Sequence, residues 1–200
     1  MLIEHLGHHP SIDSSAFVAP DATLCGNVTV GPGSRIMHGA RVVAEDSAIH
    51  IGRNVIVMEN AVIRSTGRHS CTIGDHVLIG PCAHVVGAVV EDEVFIATGS
   101  VIFHGSRLGR GAEVRVHGVV HLRTNLPPGK TVPIGWIACG TPAQLFSPDQ
   151  HEALWETQEP LNFLMTAYGV ARDTPEAMKV ITERVSQRLG THIGDVVTEV

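Results

Sequence analysis

Aliphatic residues recur at every sixth position along much of the chain, and the position after each is often Gly or another small residue. Ile12, Val18, Leu24, Val30 and Ile36 lead five consecutive units, with Ala16, Ala22, Val28, Ser34 and Ala40 as the small residues at the fifth place. Ile51, Val57 and Ile63 carry the pattern on. After a short interruption Ile73, Ile79 and Val85 resume it, followed by Val90, Ile96, Ile102, Leu108 and Val114, so the repeat covers roughly residues 12–119. An amphipathic helix needs apolar spacing near 3.6 and a half-buried strand needs 2, so a sustained period of six fits neither. It fits a triangular coil. Each hexad supplies one short strand and one turn, and three hexads complete one coil. The aliphatic leader then points inward, and like positions stack about 4.8 Å apart. The small fifth residue relieves crowding at the corner.

From Leu126-Pro127-Pro128-Gly129 a different regime is expected. GWIACGTPAQLF reads as a last strand and a turn away from the coil, closing the β-helix domain (1–146). Residues 147–200 are expected to form a helical appendage. Ser147-Pro148-Asp149 opens one helix, interrupted by Pro160, and Thr174-Pro175-Glu176 reads as N-cap, first position and first turn of another. Met178, Ile181, Val185 and Leu189 share one face of that helix, and Gly190 is placed to end it. This stripe should pack on the coil or on a neighbouring subunit. The expected fold class is an all-β parallel helix of hexapeptide repeats with C-terminal α-helices.

Composition sharpens the picture. Only 4% of the 200 residues are aromatic while 21 are Gly, so the core must be built of Val, Ile, Leu and Ala around many tight turns. The formal charge of −6 comes from interspersed acids without a basic run, which argues against nucleic acid or an anionic membrane as partner. No stretch approaches the ~20 apolar residues of a membrane span, and MLIEHLGHHP lacks the basic and apolar regions of a signal peptide. A cytoplasmic location is expected. Cys25, Cys71, Cys82 and Cys139 are widely spread and are expected to be free thiols.

Several segments, namely IGRNVIVMENAVIR, the interruption STGRHSC, IGDHVLIGPCAHVVG, DEVFIATGSVIFHGSRLG and LPPGKTVPIGWIACGTPAQLF, resemble the γ-class carbonic anhydrase family over about residues 10–147. The resemblance implies a left-handed coil, against the usual right-handed crossover. It also implies a homotrimer whose clefts hold zinc on three histidines, two from one subunit and one from the next. Aligned residue by residue, those three positions fall on Arg64, Pro81 and Val86, none of which offers zinc a ligand. The family's Arg-Gly-Asp segment falls on Val43-Ala44-Glu45 and its glutamine on Met58, while Glu59 keeps an acidic character. Bicarbonate chemistry by the family's mechanism is therefore not expected.

Thirteen histidines raise the question of a relocated zinc site. Cys82 and His84 flank the Pro81 position and, two apart in a strand, would project to one side. His69 lies in the interruption, within reach of a neighbouring subunit's cleft, so His69, Cys82 and His84 are the tentative metal set. The plainer reading makes His69 a solvated loop residue, Cys82 a packing residue and His84 a hydrogen-bonded interface residue. His38 and His104, at the third place of their hexads, read as packing residues. His117 and His121 lose their pair geometry in a β-coil, and His5, His8 and His9 lie in a terminal segment of the kind that is usually mobile.

The leading functional expectation is an enzyme acting in the inter-subunit cleft on a small anionic substrate, by hydration, dehydration or hydrolysis. Arg64 would hold the anion, with Glu45 and Asn60 as further substrate contacts. Glu59 or His84 would move a proton, and His69 would reach in from the next subunit. A zinc bound by His69 and His84 with a third group would instead activate water. Two alternatives stand beside it. One is a CoA-dependent acyltransferase of the hexapeptide class, supported by fold alone and opposed by short interruptions. The other is a non-catalytic trimeric scaffold.

Overall fold

A computed structural model describes residues 1–198. Among these the strands stack as three faces of a parallel β-solenoid of about eight turns. The first face rises from Leu2–Glu4 through Thr23–Cys25, Arg41–Val43, Val62–Arg64 and His84–Val86 to Ile137–Cys139. The second runs from Ser11–Ile12 to Asn125–Leu126 and the third from Phe17–Val18 to Thr131–Val132. Antiparallel strands close both ends of the first face: Gln144–Phe146 pairs with Ile137–Cys139, and Val196–Thr198 pairs with Leu2–Glu4.

The period of six sets this architecture directly. Leu24, Ile36, Ile63, Ile79, Ile96, Ile102 and Leu108 form one continuous stack from which water is fully excluded. The fifth places behave as expected: Ala22, Ser34 and Ala40 are buried at the corners. Ser34 does so without a polar penalty, because its hydroxyl donates to the Gly52 carbonyl (2.8 Å) and accepts from the Val55 N–H (3.0 Å). Gly52 is small for a plain reason, since a Cβ there would lie 2.8 Å from the Gly74 carbonyl oxygen one coil away.

The repeat does not stop near residue 119. Val120, Leu126, Val132 and Ala138 continue it, all fully buried. Leu126-Pro127-Pro128-Gly129 is a corner of the solenoid and no change of regime. Asn125–Leu126 is the edge strand of the second face, so the prolines that follow it withhold no N–H from a further strand.

The helical segment is interrupted at Pro160 as expected. Helix α1 spans His151–Gln158, a 3-10 turn covers Glu159–Leu161, and α2 spans Phe163–Tyr168. Helix α3 spans Ala177–Leu189 and starts later than its sequence signal, with Glu176 at the N-cap and no side-chain cap. Of its apolar stripe Ile181 is buried while Met178 stays 63% exposed. Gly190 leads into a 3-10 turn, Gly190–Gly194, after which the chain returns to the N-terminal strand. The N-terminal segment is accordingly tied into the solenoid: Leu2–Glu4 is held between Thr23–Cys25 and Val196–Thr198, and His5 is buried. Among the described residues no helix is long and apolar enough to cross a membrane.

Candidate functional site

Where the first face turns into the second, the regular corner gives way to a short loop at Ala44–Ala48 and a tight turn in which Thr66 and His69 exchange backbone hydrogen bonds of 3.0 Å. Helices α2 and α3 lie over this corner. Gly169, with φ +68°, caps α2 and accepts a hydrogen bond from Arg184 of α3 (3.3 Å), which ties the two helices together. Phe163 of α2 meets Phe103 of the first face edge-on, with ring centroids 6.3 Å apart. Between helices and corner remain two adjoining cavities of about 330 and 300 Å³. Asp46, Arg68, His69 and Arg184 line the outer one; Arg64, His84, Val86 and Phe103 line the inner one; His104, Tyr168 and Arg188 border both.

Strand register decides which side chains meet here. Val62 pairs with His84 and Arg64 with Val86, and because Ile63 and Val85 between them point into the core, the flanking residues face outward. The Arg64 guanidinium bonds to Glu45, whose side chain is only 5% exposed and stands 3.3 Å from His192 Nε2. Glu45 thus occupies the interior side of Arg64. Arg188 has no ion-pair partner among the described residues, so the cleft carries a surplus of positive charge facing the single acid Asp46.

The histidines of the cleft are held neutral. Burial lowers the pKa of His84, and the neighbouring Arg64 lowers it further. Burial does the same for His104, helped by His69, His84 and Arg64, and for His69, helped by Arg123 and Arg68. His84 Nε2 and His104 Nδ1 are buried without a hydrogen-bond partner among the described residues. A neutral imidazole with an unengaged nitrogen is able to take or give a proton, and a cationic fork beside it is able to hold an oxyanion.

Of the residues expected from sequence, Arg64, His84 and His69 are drawn to this cleft. Glu59, Asn60 and Cys82 are not. They sit at the opposite edge of the first face, where it is entered from the third, and the Cys82 N–H bonds to the Glu59 carbonyl (3.0 Å). The expectation that Cys82 and His84 project side by side fails, because Cys82 is no strand residue. It occupies a left-handed turn position, φ +57°, as does Asn60, also at φ +57°. His69, Cys82 and His84 therefore do not converge within one chain, and among the described residues the group that does bring metal donors to one point is His5, Cys25, His192 and Asp195.

Sequence reasoning also passed over His104, read as a packing residue, and Arg188 and Tyr168, which reach the cleft only because the helices fold back over the corner. His38, by contrast, is on the surface, 2.7 Å from Asp21.

The fit of zinc to the three positions carried over by resemblance is poor. Arg64 is engaged with Glu45, and Pro81 and Val86 have no side-chain donor atom. Their arrangement is nevertheless informative. Arg64 and Val86 are register partners, whereas Pro81 lies round the corner against a separate apolar cavity of about 500 Å³ with Met58 and Phe95.

No protein-family profile matches the chain. It is 28% identical over 179 residues to the mitochondrial gamma carbonic anhydrase 1 of Arabidopsis thaliana, covering 86% of this chain and 63% of that protein. It is 28% identical over 111 residues to a carbonic anhydrase of Geobacillus kaustophilus, covering 56% of this chain and 61% of the relative. The chain therefore spans less than two thirds of the length of these two relatives. In fold it matches the crystal structure of a Bacillus cereus putative acetyltransferase, with TM-score 0.54, 21% identity and coverage of 90% and 92% of the two chains. This is the left-handed β-helix of hexapeptide-repeat proteins.

Proposed function

We propose that this γ-carbonic anhydrase-like hexapeptide-repeat protein is an enzyme that acts on a small anionic substrate in the cleft beneath α2 and α3, by adding or removing water or by hydrolysis. One observation carries the reading: His84, its pKa lowered by burial and its buried Nε2 unengaged, lines the same cavity as Arg64 and Arg188. Arg64, steadied from behind by Glu45, holds the oxyanion together with Arg188. His84 takes a proton from water or returns it to the leaving oxygen, and His104 lines the same cavity. Zinc at Arg64, Pro81 and Val86 has no part in this reaction, because those side chains do not fit it.

A trimer belongs to the same proposal. The family resemblance implies a site drawn from two subunits, and Arg64 and Val86 stand on one edge of the first face while Pro81 stands on the other. A pocket using all three positions takes residues from two chains. In such an assembly Glu59, Asn60 and Cys82 come to the cleft from the neighbour. The exposed apolar residues Ile56, Phe95 and Ile134 offer the surface to bury. The cytoplasmic location is likewise part of the proposal; the Arabidopsis relative is named as mitochondrial.

The test compares CO2 hydration and activated-ester hydrolysis by the wild type with those of Arg64→Ala and His84→Gln, alongside the solution mass. The expected result is activity that falls about 10²-fold or more in His84→Gln, in a particle of three times 21.3 kDa. Thermal stabilisation by acetyl-CoA but not by bicarbonate would move the assignment to acyl transfer. Activity in neither assay, and stabilisation by neither ligand, would leave a scaffold.

A further inference from the structure

Away from the cleft floor, at the lower end of the first face, four chemically distinct donors come together from segments far apart in sequence. His5 follows the N-terminal strand, Cys25 ends the strand Thr23–Cys25, and His192 and Asp195 belong to the turn that brings the C-terminus back. Their ligand atoms all lie within 4.8 Å of one another. Asp195 is at the centre: one carboxylate oxygen is 2.6 Å from His5 Nδ1, and the other is 2.8 Å from His192 Nδ1 and 3.9 Å from Cys25 Sγ. The two imidazoles stack with centroids 4.2 Å apart. His5 and Cys25 are 2% and 3% exposed, while the side chains of His192 and Asp195 are 30% and 15% exposed, so the donors converge at a partly buried seam and not on an acidic surface.

We propose that His5, Cys25, His192 and Asp195 form a closed binding site for a tetrahedral divalent ion of the zinc class, clasping the C-terminal segment to the first coil. The donor set suits such an ion. One thiolate and one carboxylate neutralise its two charges, and two neutral imidazoles complete four ligands. In a tetrahedral zinc site the ligand atoms stand about 3.3–3.8 Å apart, given bonds of about 2.0 Å to nitrogen and 2.3 Å to sulfur. The His5–Asp195 and His192–Asp195 pairs, now 2.6 and 2.8 Å apart, open by about 0.5–0.7 Å, and the Cys25–Asp195 pair closes from 3.9 Å by about 0.4 Å. Uptake expels to solvent the Cys25 thiol proton and any second proton on His192, while the proton that His5 Nδ1 shares with Asp195 is replaced by one on His5 Nε2, which leaves both imidazoles neutral.

An outer shell is already in place. With Nδ1 given to the ion, His192 keeps Nε2 for Glu45 at 3.3 Å, the carboxylate–histidine arrangement that orients metal-bound imidazoles. Since Glu45 also binds Arg64, the clasp is continuous with the side chain that faces the cleft. Four protein ligands leave no position for water, so the site is structural: it fixes the turn after α3 and with it Arg188. It does not depend on the reading of the cleft as an enzyme site, and it uses none of His69, Cys82 and His84.

The experiment uses the untagged full chain, loaded with one equivalent of zinc and desalted, with metal measured by inductively coupled plasma mass spectrometry. About one zinc per chain is expected in the wild type and in His69→Ala/His84→Ala, with affinity reduced at least tenfold in Cys25→Ser and His192→Gln. Cobalt in place of zinc should give a thiolate charge-transfer absorption that Cys25→Ser abolishes. His192→Gln, at a partly exposed position, keeps the test alive if Cys25→Ser fails to fold. A wild type that retains no zinc, or variants at Cys25 and His192 that retain as much as the wild type, would overturn the proposal and leave a metal-free hydrogen-bonded clasp.

Discussion

The solenoid and the helical segment that covers it are stabilised in different ways. In the solenoid every coil contributes aliphatic side chains to one unbroken stack, and Leu24, Ile63, Ile96 and Leu108 are all fully buried. The helices from His151 onward bury little: Leu154 in α1 and Ile181 in α3 are their buried hydrophobic residues. Their position rests instead on a few pinned points, namely the Phe103–Phe163 contact, the Gly169 cap and the clasp at Asp195. The cleft lies where these two regimes meet. A rigid wall supplies residues at fixed spacing, and a lightly held cover supplies the rest, which suits a site that must admit and release a ligand.

The largest effect should come from the wall. Ile63→Ala removes a fully buried side chain from a stack that cannot collapse around the gap, and is expected to cost about 2–5 kcal/mol. Ile181→Ala, under a cover with few neighbours, should fall at or below the lower end of that range. Denaturant melts check the pair, and equal losses would mean the helices are as integral as the coils.

Next in size, Asp195→Ala removes the acceptor shared by His5 and His192 and should free the C-terminal segment while the solenoid stays folded. Hydrogen exchange should show protection lost over residues 177–198 and retained over the first face. Loss spread evenly through the chain would mean that clasp and solenoid unfold as one unit.

The smallest effect concerns pH. His84 and His104 have pKa values lowered on folding, so the stability they contribute is complete above their unfolded value of about 6.5. It is lost as pH falls below that value and through their lowered native values, because charging them buries an imidazolium and, for His84, sets it beside Arg64. Melting temperature should therefore drop on acidification, and drop less in the His84→Gln/His104→Gln variant. Parallel curves would mean that these imidazoles do not drive the acid sensitivity.

Much of the wall was legible in the chain. A period of six fits a three-sided coil, and the residues named as leaders are, Ile12 apart, buried. The repeat was followed too short because Pro127 and Pro128 look like a break, yet at the edge strand of the second face a missing N–H costs nothing. Cys82 misled for a related reason: a corner residue with positive φ does not share the alternation of the strand beside it, so spacing alone set it next to His84.

What the sequence alone determined is therefore the solenoid and its core. These follow from short-range repetition, in which each residue's environment is set by its place in a hexad. Only the tertiary structure decided the cover and the clasp. His104 became a cleft residue when α2 and α3 folded over its corner, and His5 met Asp195 across 190 residues of chain. No local pattern encodes such contacts, because they arise where a nonrepeating segment returns to a surface whose shape the repeats had already set.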